Sequence, residues 1–148
     1  MKYEVYTGIK VTDDFNVFDF VSTGKNGAIP KRIVFHETEW YKVYNLVFGD
    51  VDGEDEIDDR SISDNGDRNK ILATIVKVIE DYTEKYPDRW VMFEGSTNGR
   101  TRLYRMAVGL NLEELTAKFE IYAYVDGNVI PFIKNLKINA FLIKRKNP

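Results

Sequence analysis

The chain contains no cysteine and only one histidine, His36. Disulfides, iron–sulfur clusters and thiolate zinc sites are therefore excluded, and one chain cannot supply a multi-histidine metal centre. No segment approaches the roughly 20 consecutive apolar residues of a membrane helix. Glu4 and Lys10 interrupt the apolar run that a signal peptide would need. We therefore expect a cytoplasmic protein with no metal, no cofactor and no membrane contact.

Negative charge is concentrated in one segment, whereas the rest of the chain has a positive balance. Residues 50–67, the acidic segment, hold nine acidic residues and one basic residue, so they contribute −8 to a net charge of −3. The remaining residues therefore carry +5. The chain lacks the overall positive charge that is typical of nucleic-acid-binding proteins, but a local positively charged surface stays open as a hypothesis.

The chain has enough apolar residues to form a core without a disulfide or a structural metal ion. Its 148 residues lie in the size range of one domain, and we expect residues 1–148 to form a single domain. Hydrophobic residues make up 43% of the chain and aromatic residues 14%, so large side chains are available for burial.

The N-terminal half predicts a group of strands followed by a long helix. Runs rich in aromatic and β-branched residues predict three strands joined by short links, at residues 15–21, 29–35 and 41–50. Apolar residues at helical spacing then predict a helix over residues 68–86, with Asp67 as its N-cap and Pro87 just beyond its end.

The C-terminal half predicts alternating strands and shorter helices. The patterns indicate strands at residues 90–94, 119–125 and 138–144, and helices over 100–108 and up to residue 118. Leu103, Ala107 and Leu110 have core spacing on the first of these helices, and Asn111 with Glu114 has the spacing of a capping box for the second.

Together these elements predict an α+β fold. We expect a mostly antiparallel sheet, made of an N-terminal three-stranded meander plus later strands. A long central helix and one or two shorter helices should pack on this sheet. Tyr122 and Tyr124 share one strand face and would form an aromatic platform if the outer face of the sheet is uncovered.

Three motifs resemble those of a known family. They read NLVFGD at residues 45–50, NGD at 65–67 and GSTNGRTRLYR at 95–105. In combination they are similar to an uncharacterised family of small bacterial proteins, a domain of unknown function, over about residues 18–146. The resemblance implies a complete family member from a bacterium. It implies no activity, substrate or catalytic residue.

The third motif carries the candidate site. A strand ends before it and a helix begins within it, and a helix N-terminus offers free N–H donors and a partial positive charge. Hydroxyl and guanidinium groups there suit a phosphate, a nucleotide or a nucleic-acid backbone. The candidate binding residues are Ser96, Thr97, Arg100, Arg102, Tyr104 and Arg105.

Structural explanations of the same residues stay open. A serine or threonine before a helix is the ordinary N-cap, and the arginines would equally be solvated or paired with the acidic segment. The motif is neither a phosphate-binding loop of the Lys-Ser/Thr type nor a dinucleotide fingerprint. The acidic segment itself lacks the glycine and glutamate of a calcium loop, since Asp55 and Ser61 stand at those positions.

Two functions follow from this site. The first is a non-catalytic binding or regulatory module that contacts a protein partner or nucleic acid, because no nucleophile, base or metal set accompanies the arginines. The alternative is a small enzyme acting on a phosphorylated or nucleotide-containing substrate, with Asp67, His36 or Tyr104 transferring protons. A homo-oligomer is compatible with either function.

Overall fold

The computed structural model describes residues 3–58, 63–94, 98–132 and 140–146, and the side chains of 98–100 fall outside that description. The described residues form three helices: α1 (Arg68–Lys85), α2 (Asn98–Leu110) and α3 (Leu112–Lys118). They also form eight strands: β1 (Lys10–Val11), β2 (Val17–Gly24), β3 (Gly27–Glu37), β4 (Val43–Asp50), β5 (Trp90–Glu94), β6 (Phe119–Val125), β7 (Asn128–Pro131) and β8 (Ala140–Arg145).

The strands form one sheet in the order β1-β2-β3-β4-β5-β8-β6-β7. Among the described pairings, only that of β4 with β5 is parallel, because α1 carries the chain back between them. The α+β class and the mostly antiparallel sheet are therefore confirmed. The predicted N-terminal meander is only partly right, because the short β1 joins its three strands at the edge.

The C-terminal edge of the sheet is a hairpin of β6 and β7. Asp126 and Gly127 connect these strands, and both have positive φ values, of 49° and 86°. Two successive residues with positive φ match the twist of the flanking strands in a two-residue hairpin. Pro131 ends β7 on the outer edge, where a missing N–H costs no ladder bond.

The core lies between the sheet and the helices. Alternate residues of the strands point towards the helices, as Phe18, Ile33 and Phe35 do, and they pack against α1. The ring of Tyr82 on α1 stacks on that of Phe35, with centroids 3.7 Å apart. None of the described helices is long and apolar enough to span a bilayer.

The NGD motif joins the β2–β3 hairpin to the start of α1. Asn65 is buried and donates to Ser22 Oγ and to the Gly27 carbonyl. Asp67 is the N-cap residue of α1, as predicted, and its carbonyl accepts from the Ile71 N–H, but its side chain does not make the expected cap hydrogen bond. Its carboxylate instead accepts hydrogen bonds from the hydroxyls of Tyr6 and Ser22.

The buried face of α2 is rotated from the predicted one. Tyr104, Ala107 and Val108 are buried, whereas Leu103 and Leu110 are half-buried. Consecutive helical residues lie about 100° apart around the helix axis. The spacing of apolar residues in the sequence therefore fitted two neighbouring faces of α2 and did not distinguish between them. The predicted capping box is absent too, because Asn111 donates to the Ala107 carbonyl and makes no side-chain cap for α3.

Lys31 on β3 and Asp50 on β4 form a buried ion pair. Lys31 is 1% exposed, and its ammonium donates to Asp50 and to the Ser63 carbonyl. Asp50 also accepts from the Ser63 N–H. Burial would raise the pKa of the Asp50 carboxyl, but these hydrogen bonds from Lys31 and Ser63 outweigh it, so its pKa lies below the ordinary value.

The first prediction concerns the cost of breaking this pair. Lys31→Met should lower the free energy of unfolding by about 3–5 kcal/mol, because it leaves the Asp50 carboxylate buried without its counter-charge. Lys31→Met combined with Asp50→Asn should cost less than the sum of the two single variants. Urea unfolding of the four proteins measures this coupling, and strictly additive costs would contradict it.

The second prediction concerns acid stability. Because the pKa of Asp50 is lower in the folded chain, its contribution to stability is fully present above the unfolded value of about 3.9. That contribution is lost as the pH falls through the folded pKa. The free energy of unfolding should therefore fall more steeply in acid for the wild type than for Asp50→Asn. Equal slopes in urea titrations across the acid range would refute this.

Candidate functional site

The structure places part of the predicted site on the surface of α2. Arg102 and Arg105 are both exposed and are three residues apart, so they lie on one side of the helix. Within the described part of the chain, no carboxylate comes within salt-bridge distance of either guanidinium. Ser96 and Thr97 lie outside the described residues, as does the side chain of Arg100.

Tyr104 lies in the core and not on this surface. Its side chain is 2% exposed, and its ring packs against Phe93 with centroids 5.9 Å apart. The Tyr104 hydroxyl accepts a hydrogen bond from the backbone N–H of Phe48 at 3.0 Å. The register of β4 with β5 ends at Asn45, so this N–H lies beyond the point where β5 pairs with β4. Tyr104 therefore provides an acceptor for a β4 N–H that β5 does not reach.

The three residues considered for proton transfer do not meet. His36 is exposed on β3, on the face of the sheet opposite Phe35 and the helices, whereas Tyr104 is on the helix side. Asp67 is engaged with Tyr6 and with Ser22, which is fully buried. These groups therefore do not form one reaction site.

The acidic segment is held by a different arginine from those of α2. Arg32 on β3 donates to both carboxylate oxygens of Asp19 and to the carbonyl and carboxylate of Asp55. The bonds to Asp19, and then to Asp55, raise the pKa of the Arg32 guanidinium. Asp52 accepts backbone N–H groups within the segment. The described residues contain no group of acids or histidine arranged to hold a metal ion.

A second surface feature was not predicted: a groove of about 520 Å³ between the β3–β4 turn and the chain that follows α1. Four aromatic residues line it: Trp40, Tyr41, Tyr44 and Tyr86. Trp40 is 57% exposed and Tyr41 is 85% exposed, and both are far more exposed than aromatic residues of a core. We call this feature the hairpin groove.

Arg89 forms one wall of the hairpin groove. Its guanidinium carbon lies 3.6 Å from the ring centre of Tyr86 and 4.1 Å from that of Tyr44. The guanidinium also donates to the Tyr82 hydroxyl at 2.9 Å. Burial raises the pKa of Tyr82 to about 12, although the hydrogen bond from Arg89 opposes the shift. Arg89 is therefore a positioned cation whose charge interacts with aromatic rings.

Comparison with known proteins decides the family. The model of a family of unknown function, DUF6934, matches residues 2–146, nearly the whole chain. The chain belongs to this family. The resemblance proposed from the motifs is therefore confirmed at the level of the family. No curated protein and no solved structure gives a significant match.

Many residues in the motifs of this DUF6934 chain have structural roles. Asp50 pairs with Lys31, Asn65 and Asp67 join the hairpin to α1, and Tyr104 bonds to β4. The residues of the hairpin groove lie outside these motifs. Their sequence signal was the cluster of aromatic residues at 40–44, together with Arg89, which stands two residues after Pro87, beyond the end of α1.

The third prediction tests whether Tyr104 is structural. Tyr104→Phe should destabilise the fold by about 1–3 kcal/mol, because the buried N–H of Phe48 loses its acceptor. Tyr41→Phe is the matched control, since it removes a hydroxyl from an exposed ring and should change stability by less than about 0.5 kcal/mol. Equal melting temperatures for the two variants would show that the Tyr104 hydroxyl contributes nothing to the fold.

Proposed function

We propose that this domain is a non-catalytic binding module that contacts an anionic partner through the exposed side of α2. The observation that supports this is the state of Arg102 and Arg105, which are exposed and have no carboxylate partner within the described part of the chain. A pair of unengaged guanidiniums on one helix side suits bidentate recognition of carboxylate or phosphate.

Three other arginines of the described residues have internal partners. Arg32 is bound by two aspartates, Arg89 by three tyrosines, and Arg145 donates to the Glu80 carbonyl. The fold thus uses these three guanidiniums for its own stability. The α2 pair has no such described role, and this contrast supports a role in recognition.

The chemistry of the partner follows from what surrounds the arginines. Tyr104, the candidate binding residue whose ring could stack on a base, is in the core. We therefore favour an acidic segment of a protein over nucleic acid as the partner. Because the proton-transfer candidates lie apart, binding is preferred to catalysis. We propose that this takes place in the cytoplasm.

The fourth prediction tests this proposal. Arg102→Ala combined with Arg105→Ala should weaken binding of a fluorescein-labelled hexaglutamate peptide by about tenfold or more, measured by fluorescence anisotropy at low salt. The melting temperature should stay within about 2 °C of the wild type, because exposed side chains contribute little to stability. Rising salt should weaken the wild-type complex in the same way.

Controls separate this surface from general charge. Lys10→Ala combined with Arg68→Ala removes the same charge from other exposed positions and should leave binding unchanged. A labelled single-stranded DNA oligomer tests the second partner class and should bind more weakly than the peptide. If neither probe binds the wild type, or if the control loses as much affinity as the α2 variant, the proposed function is wrong.

A further inference from the structure

We propose that the hairpin groove is a second binding surface, and that it receives a lysine or arginine side chain from a basic segment of a protein partner. This inference does not depend on the role of α2, because it concerns a different surface and the opposite charge. It rests on three properties of the groove: its exposed rings, its unpaired acids and its fixed shape.

The rings are chemically suited to a cation. Aromatic faces attract ammonium and guanidinium groups, and tryptophan does so most strongly. The groove already shows this preference, because Lys42 lies 5.3 Å from the centre of the Tyr41 ring and Arg89 lies between Tyr44 and Tyr86. Among the described contacts, no cation lies over Trp40, whose side chain is more than half exposed.

The charged residues that line the hairpin groove have a net negative charge. Lys42 is neutralised by Asp88, at 2.5 Å between Nζ and Oδ2. Glu37 and Glu39 line the same groove, are exposed and form no ion pair within the described part of the chain. The groove therefore has two carboxylates without an ion pair and only one other cation, Arg89. A positively charged ligand complements this balance, and an anionic ligand would meet both glutamates.

The turn that presents Trp40 is well ordered by hydrogen bonds. The Thr38 hydroxyl donates to the Val43 carbonyl at 2.7 Å and accepts from the Trp40 N–H at 3.2 Å. The Lys42 carbonyl accepts from the Trp90 N–H at 2.7 Å, which joins the turn to β5. A surface held in shape before binding loses less conformational freedom when the partner arrives.

The proposed ligand is a protein segment because the exposed ring of Trp40 and the carboxylates of Glu37 and Glu39 lie together at the solvent-accessible β3–β4 turn. Exposed tryptophan and tyrosine are the residues that contribute most to protein interfaces. A segment with one basic side chain between small residues would place its cation over Trp40 and hydrogen-bond to Glu37 or Glu39. The tip of the β3–β4 turn is thus the contact point, and the groove accommodates the flanking backbone.

The fifth prediction uses Trp40 as its own reporter. The chain has two tryptophans, so Trp90→Phe leaves Trp40 as the sole source of indole fluorescence. Titration of this variant with an acetylated and amidated Gly-Arg-Gly-Arg-Gly peptide should give a saturable change in emission. Glu37→Gln combined with Glu39→Gln should weaken binding about tenfold, with the melting temperature unchanged. The Gly-Glu-Gly-Glu-Gly counterpart should give no change.

Matched variants locate the effect. Glu54→Gln combined with Glu56→Gln removes the same charge from the exposed acidic segment and should leave binding of the arginine peptide intact. Trp40→Ala, measured by calorimetry, should abolish binding, whereas Tyr124→Ala removes a partly exposed ring elsewhere and should not. Arg102→Ala combined with Arg105→Ala should have no effect here, so failure of this proposal and failure of the α2 proposal are distinguishable.

Several results would overturn the proposal. Binding of the glutamate peptide that is lost in Arg89→Ala would make the groove an anion site. Equal losses in the groove and acidic-segment variants would show unspecific attraction of positive charge. A change in Trp40 emission with protein concentration alone, removed by Glu37→Gln and Glu39→Gln, would identify a second copy of the chain as the occupant.

Discussion

A lysine that enters the core must have its counter-charge there too, and much of this fold is arranged around that requirement. Lys31 is on the helix side of β3, in line with Ile33 and Phe35, where a charge is costly to bury. Asp50 at the end of β4 and the backbone of Ser63 surround its ammonium group. The first residue of the acidic segment is thereby fixed to the sheet.

The other end of the acidic segment is fixed in a similar way. Asp67 accepts from Tyr6 and Ser22, and so joins the N-terminal residues, the β2–β3 hairpin and the start of α1. Arg32 binds Asp55 between these ends. At least three carboxylates of the acidic segment, those of Asp50, Asp55 and Asp67, therefore serve the fold.

Periodicity predicted most of the elements, because long amphipathic patterns report burial directly. The helix α1 and the strands β2 to β6 lie within a few residues of their predicted bounds. The short β1 has too few residues for a pattern, and β7 ends in a proline. The insertion of β8 between β5 and β6 depends on pairing between distant segments, which local patterns do not encode.

The candidate site was predictable only in part. Arg102 and Arg105 were predicted as binding residues and are exposed, but the burial of Tyr104 was not predicted, because tyrosine is common both in cores and on surfaces. The hairpin groove joins residues about fifty positions apart, Tyr41 and Arg89 among them. Sequence patterns show such residues singly, and only the parallel register of β4 with β5 brings them together.

That parallel register has a consequence for the order in which the chain folds. The strands β2, β3 and β4 follow one another through short connections, so they can pair early with little loss of chain entropy. Pairing of β5 with β4 closes a longer loop, which contains the acidic segment and α1, so we expect this pairing to form later. The wall formed by Arg89 should therefore be completed late, so that a growing chain presents Trp40 and Tyr41 on the β3–β4 turn before Arg89 is in place.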